Sequence, residues 1–108
     1  MSFLVDQKAH ADITTSLVGH WKFDEGSGIT AADSSGNGNT GTLNNGPMWV
    51  TGKIGNWALD FNGTNNYVVI NPSSSINNLG PVTYAAWVNL AAAPAGFNDI
   101  TQKRRQSF

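Results

Sequence analysis

Apolar residues occupy alternate positions in the stretch 17–23. One row holds Leu17, Gly19, Trp21 and Phe23, and the other row holds Val18, His20 and Lys22. A period of two is typical of a strand that buries one face. We therefore predict a first β-strand here, followed by a polar turn at 24–28.

Further short apolar runs follow, separated by turn sequences. The loop 33–41 is rich in Gly, Asn and Ser, which favour tight turns. The apolar runs predict strands at Thr42-Leu43, Met48–Val50, Trp57–Phe61, Tyr67–Ile70, Val82–Leu90 and Phe97–Gln102. The Asn62-Gly63 pair predicts a β-hairpin from 57 to 70. The uncharged run 82–90 predicts a central strand that is covered on both faces.

These patterns predict one all-β domain. Roughly six to seven short strands without an amphipathic helix are typical of an antiparallel β-sandwich. The chain has 108 residues, 40% hydrophobic and 12% charged, which suits a single small domain with a packed core. We divide it into a lead-in segment (1–16), a sandwich (17–102) and a basic tail (103–108).

Composition excludes several classes of function. A net charge of −1 gives no reason to expect nucleic acid as a partner. No apolar run approaches the roughly 18 residues that cross a membrane, so no membrane partner is expected. The absence of cysteine excludes disulfides and thiolate metal sites. The first residues show no export signal.

Four segments carry a resemblance to a known family. They are LVGHWKFDEGSG, AADSSGNGNTGTL, GKIGNWALDFNGTNNYVVI and VTYAAWVNL, in this order between Leu17 and Leu90. The succession resembles the laminin-G-like domains of the concanavalin A-like lectin/glucanase superfamily. The resemblance implies a jelly-roll β-sandwich, an extracellular location, and carbohydrate or protein ligands.

The resemblance covers only the N-terminal part of such a domain. A jelly roll needs about eight strands, and the family's C-terminal half has no counterpart here. An incomplete sandwich would expose apolar strand edges. Three alternatives follow: pairing with a second copy, a fragment, or a smaller closed form. We predict a homo-oligomer.

Calcium is the candidate metal, at the loop 33–41. Asp33 and Asn37 offer oxygen ligands on a Gly-rich loop, as Ca²⁺ prefers. The resemblance implies calcium binding by this loop together with a carboxylate of a closing strand, which this sequence lacks. The alternative is that Asp33 and Asn37 close turns through hydrogen bonds with backbone amides.

Glycosidase activity is not expected. Hydrolysis of a glycosidic bond requires two carboxyl groups that flank it at a fixed separation. The only glutamate, Glu25, lies beside Asp24 in a turn, and no Glu-x-Asp-x-x-Glu pattern occurs. We predict that the chain is not an enzyme, and that both residues are solvated or bind backbone amides.

An exposed aromatic side chain would suit a sugar ligand. Trp49, between Pro47 and Gly52, is the tryptophan that we predict to be exposed and ligand-binding. The first hypothesis is a non-catalytic carbohydrate-binding module with a glycan or glycoprotein partner. The alternative is an assembly domain without a small ligand, which self-associates through exposed strand edges.

Overall fold

The described part of the chain is all-β, with antiparallel sheets and no helix. The computed structural model describes residues 16–91 and 100–102. Its strands are β1 (Thr30–Ala31), β2 (Gly41–Asn44), β3 (Met48–Thr51), β4 (Trp57–Asp60) and β5 (Tyr67–Ile70). The last four lie within a residue or two of the predicted runs. The lead-in up to residue 15 and the tail 103–108 lie outside the described residues.

The larger sheet contains three antiparallel strands in the order β1-β2-β5. Residues paired directly across such a sheet share a face. The register therefore places Ala31, Gly41, Leu43, Val68 and Ile70 on one face. These five residues are buried or half-buried, and the opposite face is mostly exposed. The core of the described part lies on this one face.

The smaller sheet is a hairpin of β3 and β4. Its connection, residues 52–56, is closed by a 3.1 Å hydrogen bond from Gly52 N to the Asn56 carbonyl. The register places Trp49 and Trp57 on the same face. Trp49 Nε1 donates to the Gly28 carbonyl at 3.0 Å. The indole of Trp57 covers Gly26 so closely that a Cβ there would lie 2.5 Å from the ring.

The predicted hairpin from 57 to 70 is wrong. Strand β4 pairs with β3, whereas β5 pairs with β2, so the chain changes sheets between them. Asn62 does start a turn, as the Asn-Gly pair indicates, because its Oδ1 accepts three backbone N–H groups. Pairing with β2 places Val68 opposite the buried Leu43. Burial between distant strands therefore decides the pairing, and the local turn does not.

The first predicted strand is reduced to a single bridge between Trp21 and Asp33. Phe23 has a φ of 57°, in the left-handed region, which ends the extended conformation. The segment 17–23 therefore has the alternating pattern of a strand but forms a β-bridge at one residue only, Trp21. This bridge holds the segment against the loop that begins at Asp33.

The predicted central strand at 82–90 is also wrong. None of these residues belongs to a strand, and every one of them is exposed. Trp87 is 91% exposed and Leu90 is 65% exposed. In the predicted last strand, 97–102, only 100–102 are described, and they are not in a strand. The apolar pattern is real, but no described element covers it.

Candidate functional site

The loop 33–39 is organised around the carboxylate of Asp33. Its Oδ1 accepts hydrogen bonds from the backbone N–H groups of His20, at 2.8 Å, and Ser35, at 2.9 Å. Its Oδ2 accepts from Ser35 Oγ at 2.8 Å and from Asn39 N at 2.9 Å. Asp33 thus joins its own loop to the segment that precedes β1.

These contacts also set the ionisation of Asp33. Partial burial raises the pKa of Asp33, but the hydrogen bonds from His20, Ser35 and Asn39 outweigh it and lower the pKa below the ordinary value. Hydrogen bonds to a carboxylate stabilise its charged form. The charged carboxylate is therefore the form that the fold prefers.

Asn37 contributes its amide nitrogen rather than its oxygen to this network. Its Nδ2 donates to the carbonyls of Leu17, at 2.9 Å, and Val18, at 3.2 Å. The same nitrogen donates to Ser35 Oγ at 3.1 Å. Asn37 therefore ties the loop to the start of the described chain.

Asn39 is the most completely bonded side chain of the loop, and no sequence pattern singled it out. It is only 3% exposed. Its Nδ2 donates to the Val18 carbonyl at 2.8 Å and to Ser75 Oγ at 2.9 Å. Its Oδ1 accepts from Ser73 Oγ at 2.6 Å, and its backbone carbonyl accepts from Trp21 Nε1 at 2.7 Å. Asn39 connects three separate parts of the chain.

The structure brings the two predicted calcium ligands onto one loop, with Ser35 between them. Both oxygens of Asp33 already accept two donors each, so an incoming cation would have to displace N–H and O–H groups. No group of three or more His, Asp or Glu side chains that could hold a metal occurs among residues 16–91 and 100–102. The contacts of Asp33 match the turn-closing alternative, because it accepts backbone amides, whereas Asn37 donates to backbone carbonyls instead. Calcium binding itself stays a prediction.

The acid sensitivity of the fold tests the role of Asp33. We expect Asp33→Asn to lower Tm at neutral pH, because an amide NH₂ would face the donors of Ser35 and Asn39. A depressed pKa stabilises the fold above the unfolded-state value of about 3.9, and this contribution is lost as the pH falls further. The Tm difference between wild type and variant should therefore shrink below about pH 4. Thermal melts by circular dichroism from neutral to acid pH measure it.

The same melts separate the two interpretations of the loop. A calcium ion that binds only the folded chain must raise Tm, and about 5 mM is ample for a weak site. A rise in the wild type that is absent in Asp33→Asn would support a calcium site. A wild-type Tm that calcium leaves unchanged would contradict the predicted calcium site. A Tm difference that stays constant down to strong acid would contradict the role given to the Asp33 carboxylate.

Trp49 is half-buried rather than exposed, and its N–H is committed to Gly28. The indole holds the β3–β4 hairpin against the turn 26–28. Part of the ring still faces solvent, and contact of Trp49 with a ligand stays a prediction. The most exposed tryptophan of the described chain is Trp87, although the alternating pattern around it predicts a covered strand.

The exposed segment 82–91 borders a wide concavity. This space measures about 3490 Å³ and is also lined by residues of β4 and β5. Pockets for small ligands measure roughly 300–1,000 Å³. The concavity is therefore too large and open to define one small-molecule site. It leaves apolar side chains such as Tyr84 and Val88 accessible from solvent.

Glu25, one of the two turn carboxylates, binds a backbone amide as predicted. Glu25 Oε1 accepts a 2.7 Å hydrogen bond from the backbone N–H of Ala32, which fixes the turn before β1.

Within the part of the chain that the structure describes, no helix is long and apolar enough to span a bilayer.

Comparison with protein-family models, curated proteins and solved structures finds no match. The assignment of a function therefore depends on the residues and contacts given above.

Proposed function

We propose that this chain is a non-catalytic binding module for carbohydrate, of the laminin-G-like type, that works outside the cell. The resemblance of the four quoted segments and the all-β antiparallel fold support this proposal. The observation that carries it is the 91% exposure of Trp87. A planar indole that is open to solvent offers a stacking face to a sugar ring.

Such a site would be weak by itself. One aromatic face with a few neighbouring polar groups buries little ligand surface, and affinity depends on desolvated contacts. Several modules on one scaffold convert weak sites into strong attachment. A multivalent glycan surface is therefore the suitable probe.

Substitution of Trp87 tests the proposal. We expect Trp87→Ala to reduce binding to a glycan array by about tenfold or more, since loss of one aromatic contact costs about 1.4 kcal/mol. Tm should be unchanged, because the side chain contacts little of the fold. Trp87→Tyr, which keeps an aromatic face, should retain most of the binding.

Trp49→Ala is the matched comparison. It removes a hydrogen bond of the fold, so we expect a lower Tm. Glycan binding that disappears with Trp49 and survives without Trp87 would move the ligand site to Trp49. An array on which the wild-type chain binds no glycan would contradict the proposal as a whole.

The exposed segment 82–90 favours a second candidate, the assembly domain. The apolar residues of this segment alternate as in a strand, but no described element covers them. Four of them are at least 45% exposed: Val82, Tyr84, Val88 and Leu90. Exposed apolar segments of this kind promote association with another chain. No binding on glycan arrays together with a stable dimer in light scattering would favour this candidate over the first. A monomer at micromolar concentration would exclude it.

A further inference from the structure

Three Asn-Gly pairs occur in turns of the described chain: Asn37-Gly38, Asn45-Gly46 and Asn62-Gly63. An Asn-Gly pair can deamidate without an enzyme. The backbone nitrogen of the glycine loses its proton to water and attacks the side-chain Cγ of the asparagine. The side-chain nitrogen takes up a proton from water, the Cγ–Nδ2 bond breaks, and ammonia leaves a cyclic succinimide. Water then opens this ring at one of its two carbonyls, which gives aspartate or isoaspartate.

The first attack places negative charge on the side-chain oxygen of the asparagine. Donors aimed at that oxygen stabilise the charge as it develops, as in an oxyanion hole. The environment of each Oδ1 therefore influences which pair reacts first.

Only Asn62, of the three, has its Oδ1 in a cluster of backbone donors. The N–H groups of Thr64, Asn65 and Asn66 reach it at 2.9, 3.1 and 3.2 Å. The side chain is exposed, so water can enter. Its Nδ2 donates to Asn65 Oδ1 at 2.8 Å, and this single bond is lost when ammonia leaves.

All three asparagines donate through Nδ2, but Asn62 donates to a side-chain oxygen, whereas the other two donate to backbone carbonyls. Asn37 Nδ2 donates to the carbonyls of Leu17 and Val18, and Asn45 Nδ2 donates to the Asn65 carbonyl at 2.7 Å. These contacts fix the leaving group against acceptors. A carboxylate at either position would place an oxygen opposite a carbonyl oxygen, which is unfavourable.

We propose that Asn62 is a self-modification site, at which the folded loop 62–66 directs deamidation in preference to the other two Asn-Gly pairs. The aspartate product keeps an acceptor for the three N–H groups, now as a carboxylate that binds them more strongly. The isoaspartate product lengthens the backbone by one methylene and cannot keep the same register. Either product adds one negative charge to the loop between β4 and β5.

The experiment compares deamidation rates in the native and denatured chain. Wild-type protein is incubated at mildly alkaline pH, with and without urea, and the three pairs are followed by peptide mapping with mass spectrometry. Urea removes the loop while it leaves each sequence unchanged. The native-to-denatured rate ratio therefore isolates the effect of structure at each site.

We expect this ratio to be at least about fivefold higher for Asn62 than for Asn37 or Asn45, the effect of about 1 kcal/mol of hydrogen bonding. Gly63→Ala should slow Asn62 in the denatured chain, where the methyl group hinders the attack of the backbone nitrogen; in the folded chain Gly63 has a φ of 68°, so alanine there also strains the loop. A ratio for Asn62 that is equal to or below the other two would overturn the proposal.

Discussion

Asn39→Leu is expected to cause the largest loss of stability in the described chain. Leucine has the same number and branching of side-chain heavy atoms but is larger and offers no hydrogen bond. The Val18 carbonyl and the hydroxyls of Ser73 and Ser75 would each lose a hydrogen bond to Asn39 in a site that is almost closed to water. The carbonyl keeps Ser35 Oγ and Asn37 Nδ2 as donors, and the two hydroxyls keep each other. Each lost hydrogen bond costs about 1 kcal/mol, so we expect the free energy of unfolding to fall by about 3 kcal/mol. Urea unfolding followed by tryptophan fluorescence measures this loss.

Asn37→Leu is the matched control for this prediction. Asn37 lies two residues earlier in the same loop and also donates to the Val18 carbonyl, but it is exposed. Water can replace its hydrogen bonds, so we expect a loss of about 1 kcal/mol or less. If the two variants unfold at the same urea concentration, Asn39 does not connect the parts of the fold as described.

Gly52→Ala is expected to open the β3–β4 hairpin. A Cβ at Gly52 would lie 2.8 Å from the carbonyl carbon of Trp57 and 3.1 Å from its nitrogen. These are backbone atoms of the paired strand, so no side-chain rotation relieves the contact. Overpacking of this kind costs about 1–3 kcal/mol, and here it also displaces Trp49 and Trp57 from the turn 26–28. We expect a clear drop in Tm and a shift of tryptophan fluorescence towards that of solvent-exposed indole.

Gly80→Ala provides the comparison for this effect. Gly80 has open space where a Cβ would stand, and its φ is not in the left-handed region. The same chemical change should therefore leave Tm within about 1 °C of wild type. Equal melting temperatures for the two alanine variants would contradict the close approach of Gly52 to Trp57.

The sequence predicted the local structure better than the pairing. The strands β3, β4 and β5 lie where short apolar runs are bounded by Gly, Asn and Pro, because these residues end strands through their backbone preferences. Pairing depends instead on which distant segments bury the same face. Val68 contacts the region of Gly41 and Leu43, and no pattern near the Asn62-Gly63 turn indicates this.

The segment 82–90 shows a second limit. Alternating apolar residues predict a strand only where another element covers them, since β-propensity largely reflects packing against neighbours. Among the described residues none provides that cover. A pattern that predicts a central strand therefore belongs to an exposed apolar segment. Trp87, predicted to be covered, lies on the surface.

The candidate site was predicted in part. Asp33 and Asn37 are turn-forming residues in a Gly-rich loop, and the structure places both in the loop network. Asn39 could not be singled out, because its partners Ser73 and Ser75 lie 34 and 36 residues away. The contact of Trp49 with Gly28 depends on the hairpin register, which the sequence did not supply.

The indole N–H groups provide the most direct test of this account, through their hydrogen exchange measured by nuclear magnetic resonance. The loop network predicts slow exchange for Trp21, which donates to Asn39, and for Trp49, which donates to Gly28. An uncovered segment predicts exchange at Trp87 as fast as in a free indole. Rapid exchange at Trp21, or a protected Trp87 in a monomeric sample, would contradict the arrangement from which both proposed functions are argued.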